Sequence, residues 1–92
     1  MGDVSARFLC FVCGYSDLVD PPWDNDEPSD EICPSCGIHF GYDDAAGGDP
    51  GLRESIYREW RRRWIAAGMR WWSLGDAPVG WDPEAQLRSV TE

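Results

Sequence analysis

Apolar residues recur at every fourth position along the middle of the chain. The stripe consists of Leu52, Ile56, Trp60 and Trp64, and it is widened by Tyr57 and Ile65. This spacing predicts an amphipathic α-helix with one buried face. Asp49 is suited to cap the helix, Pro50 to occupy its first turn and Gly68 to end it. We therefore predict a helix from Pro50 to Ala67, with arginines on its remaining faces.

The residues after this helix are first aromatic and then rich in turn formers. Residues 69–74 contain two tryptophans and form a stretch short enough to be a strand or an extended segment. Asp82 followed by Pro83 repeats the combination of a cap and a proline, which predicts a short terminal helix over residues 83–90. Because so short a helix is marginal alone, we expect it to dock through Trp81 and Leu87.

The first half of the chain predicts short antiparallel strands separated by turns. Residues 8–11 and 31–32 and the alternating apolar positions of 38–42 fit strand periodicity. Residues 20–29 are rich in aspartate and proline and predict a loop.

The predicted elements together indicate a single α+β domain over residues 1–92. It divides into a knuckle lobe at 8–46, the amphipathic helix within 49–68 and an aromatic C-terminal segment at 69–92.

Size and net charge narrow the possible functions. A domain of 92 residues has a core that supplies only about 3–5 kcal/mol, so an additional metal or disulfide is expected. The net charge of −9 disfavours nucleic acid and anionic membranes as partners. There is no apolar run long enough to span a bilayer, and residues 1–7 lack the features of a signal peptide. We therefore expect a cytoplasmic protein with no membrane partner.

Charge is unevenly distributed along the chain. Residues 8–52 carry ten acids and no base, whereas residues 53–70 carry six arginines against two glutamates, a net of +4. Arginines 58 and 61–63, interleaved with Trp60 and Trp64, could bind single-stranded nucleic acid. Both tryptophans belong to the apolar stripe and are therefore expected in the core, where they cannot stack on bases. We therefore favour an arginine face that is simply solvated, and nucleic-acid binding is the less favoured alternative.

Four cysteines form two Cys-x-x-Cys-Gly pairs separated by nineteen residues. This spacing is typical of a four-cysteine zinc site, because a tight turn brings both thiolates of a pair to one ion. In a reducing compartment such a site is favoured over disulfides. The predicted metal ligands are Cys10, Cys13, Cys33 and Cys36, with zinc as the metal and iron as the alternative.

The glycine after each cysteine pair also fits a metal-binding turn. Gly14 and Gly37 are expected to adopt positive φ and to aim their backbone N–H groups at a thiolate.

The two cysteine pairs resemble the knuckles of the rubredoxin-like and zinc-ribbon families. The matching residues are Cys13-Gly14-Tyr15 and Cys33-Pro34-Ser35-Cys36-Gly37. The resemblance covers residues 8–42 and implies a rubredoxin-like zinc ribbon with two knuckles and short antiparallel strands. It also implies one ion on all four cysteines, which in rubredoxin is an iron that transfers one electron. The layout of the whole chain is similar to small bacterial cysteine-rich proteins of uncharacterised function.

Other candidate ligands carry weaker signals. His39, three residues after Cys36, is expected to face solvent, with a place in or beside the metal shell as the less favoured alternative. Asp43, Asp44 and Asp49 lack the spacing of a calcium-binding EF-hand and are expected to mark the start of the helix.

The sequence favours a small metal-binding protein over an enzyme. It contains no nucleophile–base arrangement and no phosphate-binding glycine loop, so we expect neither catalysis nor a small-molecule substrate. The predicted function is a protein-interaction or regulatory module with a structural zinc site, and the alternative is a rubredoxin-type electron carrier. Six tryptophans exceed what so small a core easily buries, which indicates a protein partner. The predicted contact loop is residues 20–31, centred on Trp23.

Overall fold

The computed structural model describes residues 7–91 of the chain. Its elements are strands β1 (Trp23–Asp24) and β2 (Glu27–Pro28), a 3₁₀ turn (Ala46–Gly48), helix α1 (Pro50–Ala66) and helix α2 (Pro83–Thr91). Two helices and a small antiparallel sheet confirm the α+β class. The expectation about residues 1–7 falls, apart from Arg7, outside the described residues. Neither helix in the described part is long and apolar enough to cross a membrane.

Strand pairing is sparser than the sequence predicts, and it lies elsewhere. β1 and β2 pair with Trp23 opposite Pro28, inside the segment that composition assigns to a loop. The predicted strands are reduced to two isolated bridges, Phe8 with Leu18 and Ile32 with His39. The loop prediction is wrong for β1 and β2, because Asn25 adopts a left-handed φ of 58° that closes a tight turn between them.

Helix α1 forms where its sequence signals place it. Asp49 Oδ1 accepts a hydrogen bond from the backbone N–H of Gly51 at 2.9 Å, as an N-cap residue does. The helix ends at Ala66, one residue before the predicted end, and Gly68 follows with a φ of 102°. Local capping therefore determines both ends of the helix.

The buried face of α1 differs from the predicted stripe. Tyr57 and Trp64 are buried, whereas Leu52 is 53% exposed and Ile65 is also exposed. The prediction is wrong for these two aliphatic residues, because the positions that α1 buries carry aromatic side chains with a polar tip that finds a partner. The Tyr57 hydroxyl donates to Asp44 at 2.6 Å, and Trp64 Nε1 donates to the Arg70 carbonyl at 3.0 Å.

Helix α2 is confirmed and ends one residue later than predicted. Asp82 Oδ1 accepts hydrogen bonds from the N–H groups of Glu84 and Ala85, both at 3.1 Å. Trp81 and Leu87 pack against the core, as expected for a helix too short to be stable alone.

The core of the described chain is built around its cysteines. The buried hydrophobic side chains are Cys10, Val12, Cys13, Leu18, Cys33, Cys36, Ile38, Phe40, Tyr57 and Trp64. The cysteine group thus occupies the place that aliphatic side chains fill in a larger domain.

A buried carboxylate connects the strand pair to α1. Asp44 is fully buried. It accepts hydrogen bonds from Trp23 Nε1 at 2.7 Å, from the Tyr57 hydroxyl at 2.6 Å and from the Gly41 N–H at 2.6 Å. The expectation that Asp44 marks the helix start is wrong, since only Asp49 caps α1.

Alkaline pH is expected to destabilise the protein through Tyr57. Burial, and then the hydrogen bond to Asp44, raises the pKa of Tyr57 above its usual range. The folded state holds the phenolic proton more tightly than the unfolded chain, so this stabilisation is complete below about pH 10 and is lost as the pH rises further. We expect the free energy of unfolding, measured in urea, to decrease more steeply above about pH 10 in the wild type than in Tyr57→Phe. The exposed Tyr42 provides the control Tyr42→Phe, and equal slopes in all three proteins would contradict the prediction.

Candidate metal centre

The four sequence-predicted cysteines meet at one point. Their Sγ atoms all lie within 4.8 Å of one another. The separation is 3.8 Å between Cys10 and Cys36 and 3.7 Å between Cys13 and Cys33. Four sulfurs at ~2.3 Å from a central ion form a tetrahedron with edges of about 3.8 Å. The group therefore has the dimensions of a tetrahedral site and could hold a metal ion.

Each cysteine pair lies on a turn of the same construction. Gly14 N–H donates to the Cys10 carbonyl at 3.0 Å, and Gly37 N–H donates to the Cys33 carbonyl at 2.8 Å. Both glycines adopt positive φ, 85° and 84°, as predicted. The expectation that their N–H groups point at thiolates is wrong, because these groups close the turn instead. The N–H that approaches a sulfur is that of Val12, 3.4 Å from Cys10 Sγ.

The crowding of the four thiols changes their acidities. Hydrogen bonding with Cys13 raises the pKa of Cys10, and hydrogen bonding with Cys10 raises the pKa of Cys36. Hydrogen bonding with Cys10 also lowers the pKa of Cys13. A divalent ion binds thiolates and must displace the remaining protons, so its affinity decreases as the pH falls.

Helix α1 contacts both knuckles through their backbone carbonyls. Trp60 Nε1 donates to the Cys36 carbonyl at 2.9 Å. The Arg61 guanidinium donates from Nε to the Val12 carbonyl at 2.7 Å and from Nη2 to the Phe11 carbonyl at 2.8 Å. The prediction of a wholly solvated arginine face is wrong for Arg61, because these charge-assisted hydrogen bonds hold it against the first knuckle.

The two arginines that follow Arg61 on α1 lie at the surface. Arg62 and Arg63 are exposed and pair with Glu59 at 2.5 and 3.0 Å. Surface pairs of this kind contribute little to stability, about 0–1 kcal/mol. Their role is to keep this face of α1 solvated, as the sequence predicts.

Helix α2 covers the first knuckle. Gln86 Nε2 donates to the Cys13 carbonyl at 3.2 Å and to Ser35 Oγ at 2.9 Å. Ser89 Oγ donates to the Gln86 carbonyl at 2.7 Å and lies 3.4 Å from the Gly14 carbonyl. Sequence reasoning missed Gln86, and no sequence signal could have indicated it, since its contact with Cys13 spans 73 residues.

Residues 72 and 73 cover the second knuckle. The backbone N–H groups of Trp72 and Ser73 donate to the Pro34 carbonyl at 3.1 and 2.9 Å. The Trp72 ring packs against Gly37, where an added Cβ would lie 2.5 Å from ring atom Cδ1. Glycine is therefore required at this position by the close approach of the tryptophan as well as by its φ.

Replacing Gly14 with alanine is expected to undock α2. The new Cβ would overlap the Gln86 carbonyl and lie 2.5 Å from Ser89 Oγ, at a residue whose φ is +85°. We expect a loss of about 2–4 kcal/mol in the free energy of unfolding and faster amide exchange throughout α2. The matched control is Gly47→Ala, which has a φ of +60° and no atom within 4 Å of the new Cβ. Backbone strain alone should cost it about 1 kcal/mol, and equal losses in the two variants would contradict the proposed contact.

His39 lies outside the four-sulfur group of the described residues. Its ring stacks on Tyr42 at 5.6 Å between centroids, and its backbone N–H donates to Asp43 Oδ2 at 2.8 Å. The side chain is half-buried rather than freely solvated, because Tyr42 covers one face of the ring.

The fold and the site define a small α+β protein with a buried group of four cysteines that could hold a metal ion. The chain is similar to the uncharacterized protein YozI of Bacillus subtilis (strain 168), with 28% identity over 81 residues, 77% of this chain and 67% of YozI. It is also similar to the uncharacterized protein YoaQ of the same strain, with 31% identity over 75 residues, 72% of this chain and 64% of YoaQ. The chain thus spans about two thirds of the length of these relatives. No family model and no solved structure matches it.

Proposed function

We propose that this chain is a small metal-binding protein in which the four cysteines hold a structural zinc ion and the outer surface binds another protein. The observation that supports a structural role is the burial of the sulfurs. Cys10, Cys13 and Cys33 have no exposed surface, and Cys36 is 5% exposed. α1, α2 and residues 72–73 all bond to the knuckle backbone, so the ion organises every element that covers it and couples metal binding to folding. We propose the rubredoxin-like zinc ribbon as the fold of residues 8–42.

Burial also bears on the choice between zinc and iron. A tetrahedral group of four thiolates accepts either metal, so the geometry of the sulfurs fits both. A rubredoxin-type electron carrier presents two of its cysteines to a partner, whereas only Cys36 reaches the surface here. This difference favours zinc, and the electron carrier is the alternative.

Metal analysis of protein produced at native level tests this proposal. We expect one zinc per chain and a colourless solution. Red protein that contains one iron per chain and is bleached by dithionite would overturn the zinc assignment in favour of the electron carrier.

The surface proposed for the protein partner lies between the second knuckle and α2. Leu74 is 98% exposed, and Trp72 and Val79 are also exposed. Trp23, the centre of the predicted contact loop, is half-buried and bonded to Asp44, so it is poorly placed as an anchor. Large apolar side chains exposed within one short segment, residues 72–79, are the basis for proposing a protein-binding surface there.

Paired substitutions test this surface. The Leu74→Asp, Val79→Asp double variant should keep its metal and its unfolding transition but lose the partner captured by the wild type from the native organism. Leu52→Asp, at an exposed position on α1, is the control and should retain the partner. Equal capture by both variants would contradict the assignment.

We also infer a non-catalytic role and a cytoplasmic location. Four thiolates complete a tetrahedral shell and leave the ion no open position for water or substrate. The four cysteines are unpaired by disulfides, a state that suits a reducing compartment. Nucleic-acid binding is less favoured, because Trp64 is buried and Arg61 is engaged with the first knuckle.

A further inference from the structure

A cavity of about 450 Å³ opens where the first knuckle, the strand pair and α1 meet. Phe11 lines it from the knuckle, Trp23 from β1, and Arg53, Tyr57 and Arg61 from α1. The volume falls within the range of small-molecule sites, and three aromatic rings with a few polar groups are a typical lining for one. The proposed metal ligands do not line this cavity, so the cleft is distinct from the metal centre.

Two of the eight arginines of this acidic protein line the cleft, Arg53 and Arg61. The Arg53 guanidinium carbon lies 3.5 Å from the centroid of the Trp23 ring, and Arg53 Nε is buried without a hydrogen-bond partner. Buried donors without a partner are rare and costly in folded proteins. Among the described residues, ion pairs are formed by Arg62 and Arg63 but not by Arg53 or Arg61. The Arg53 guanidinium is thus held against the Trp23 ring, and no ion pair with a described residue neutralises its charge.

Two carboxylates oppose this charge. The buried Asp44 lies behind the wall and accepts hydrogen bonds from Trp23 Nε1 and from the Tyr57 hydroxyl. Glu54 also lines the cavity, and its side chain is exposed. An exposed carboxylate is screened by water and salt, whereas a ligand seated against a partly buried guanidinium is not. Among the residues that line the cavity, Arg53 and Arg61 therefore outweigh the single screened charge of Glu54.

We propose that this cleft binds a single carboxylate carried on a flat apolar body. The carboxylate accepts hydrogen bonds from Arg53, because the planar guanidinium matches its geometry. The apolar body lies against Phe11 and Tyr57, whose rings meet edge to face at 5.7 Å, since Arg53 covers Trp23. A nucleic acid is a poorer fit, because the ten acids of residues 8–52 repel a series of phosphates more strongly than one carboxylate.

Nuclear magnetic resonance titration of the ¹⁵N-labelled, metal-loaded chain tests the proposal. The probe is indole-3-acetate, and the matched neutral compound is indole-3-acetamide. We expect saturable shifts at the amides of Phe11 and Tyr57 and at the Trp23 indole N–H. The acetamide should bind at least about tenfold more weakly, because it lacks the charge-assisted hydrogen bonds.

Two variants locate the charge that the probe requires. Arg53→Gln should weaken binding of indole-3-acetate by about tenfold or more. Arg62→Gln, at the exposed arginine paired with Glu59, should leave the affinity unchanged. Metal content and unfolding of both variants are measured first, and the comparison of acid with acetamide on the wild type stands even if Arg53→Gln does not fold.

The same titration separates the possible sources of the ligand. A short peptide ending in tryptophan with a free carboxylate, compared with its C-terminal amide, represents a protein terminus. Selective binding of either carboxylate supports the proposal, and the tighter of the two identifies the source.

Three results would overturn it. These are equal binding of acid and amide, no saturation at about 10 mM probe, and tighter Arg53-dependent binding of an oligothymidylate. None of these three results depends on the metal or on the apolar surface at 72–79. The proposed function would therefore stand even if this proposal failed.

Discussion

Replacing Cys33 with serine is expected to remove both the bound metal and the cooperative unfolding transition. Cys33 Sγ is fully buried and lies 3.7 Å from Cys13 Sγ, so the lost ligand belongs to the core as well as to the metal shell. A hydroxyl is a much weaker ligand for zinc than a thiolate. Structural zinc contributes on the order of 10 kcal/mol to folding, which exceeds the ~3–5 kcal/mol that a core of this size supplies. The variant should therefore populate the unfolded state.

Thermal unfolding followed by far-UV circular dichroism, together with elemental analysis, measures both effects. Ser55→Ala, at an exposed position on α1, is the control and should keep its metal and its melting temperature. Removing the metal from the wild type with a chelator should reproduce the behaviour of Cys33→Ser. A variant that loses its metal but still melts cooperatively would show that the centre does not stabilise the fold, and would favour a redox or metal-sensing role.

Replacing Asp44 with alanine is expected to cost about 3–5 kcal/mol in the free energy of unfolding. The substitution leaves three donors without their acceptor, namely Trp23 Nε1, the Tyr57 hydroxyl and the Gly41 N–H. Water cannot readily replace the carboxylate, because Asp44 is fully buried. Asp44→Asn should lose less, since it keeps one carbonyl oxygen as an acceptor.

Urea unfolding of the metal-loaded variants tests the role of Asp44. The control is Asp26→Ala, at an exposed position between β1 and β2, and it should change stability by less than about 0.5 kcal/mol. Asp44 is outside the sulfur group, so Asp44→Ala should still bind metal, unlike Cys33→Ser. A loss no larger than that of Asp26→Ala would contradict the role assigned to this carboxylate.

The cysteine group shows how far sequence reasoning reached into the candidate site. The spacing of the two pairs indicated which residues would meet, because a tight turn brings the two thiolates of a pair together and two such pairs supply the four ligands of one ion. The same local rule correctly predicted positive φ at Gly14 and Gly37. It did not indicate that α2 and Trp72 approach these two glycines closely, since both neighbours come from much later in the chain.

The sequence by itself determined the helices and the composition of the cysteine group. Caps at Asp49 and Asp82 act on the next two or three residues, so the starts of α1 and α2 follow from local chemistry. Only the tertiary structure decided which face of α1 is buried and which polar side chains enter the core. Arg61 reaches a carbonyl 49 residues away, and Tyr57 reaches a carboxylate 13 residues away. Tyr57 and Arg61 are held by hydrogen-bond partners from other parts of the chain, and hydrophobic periodicity does not contain that information.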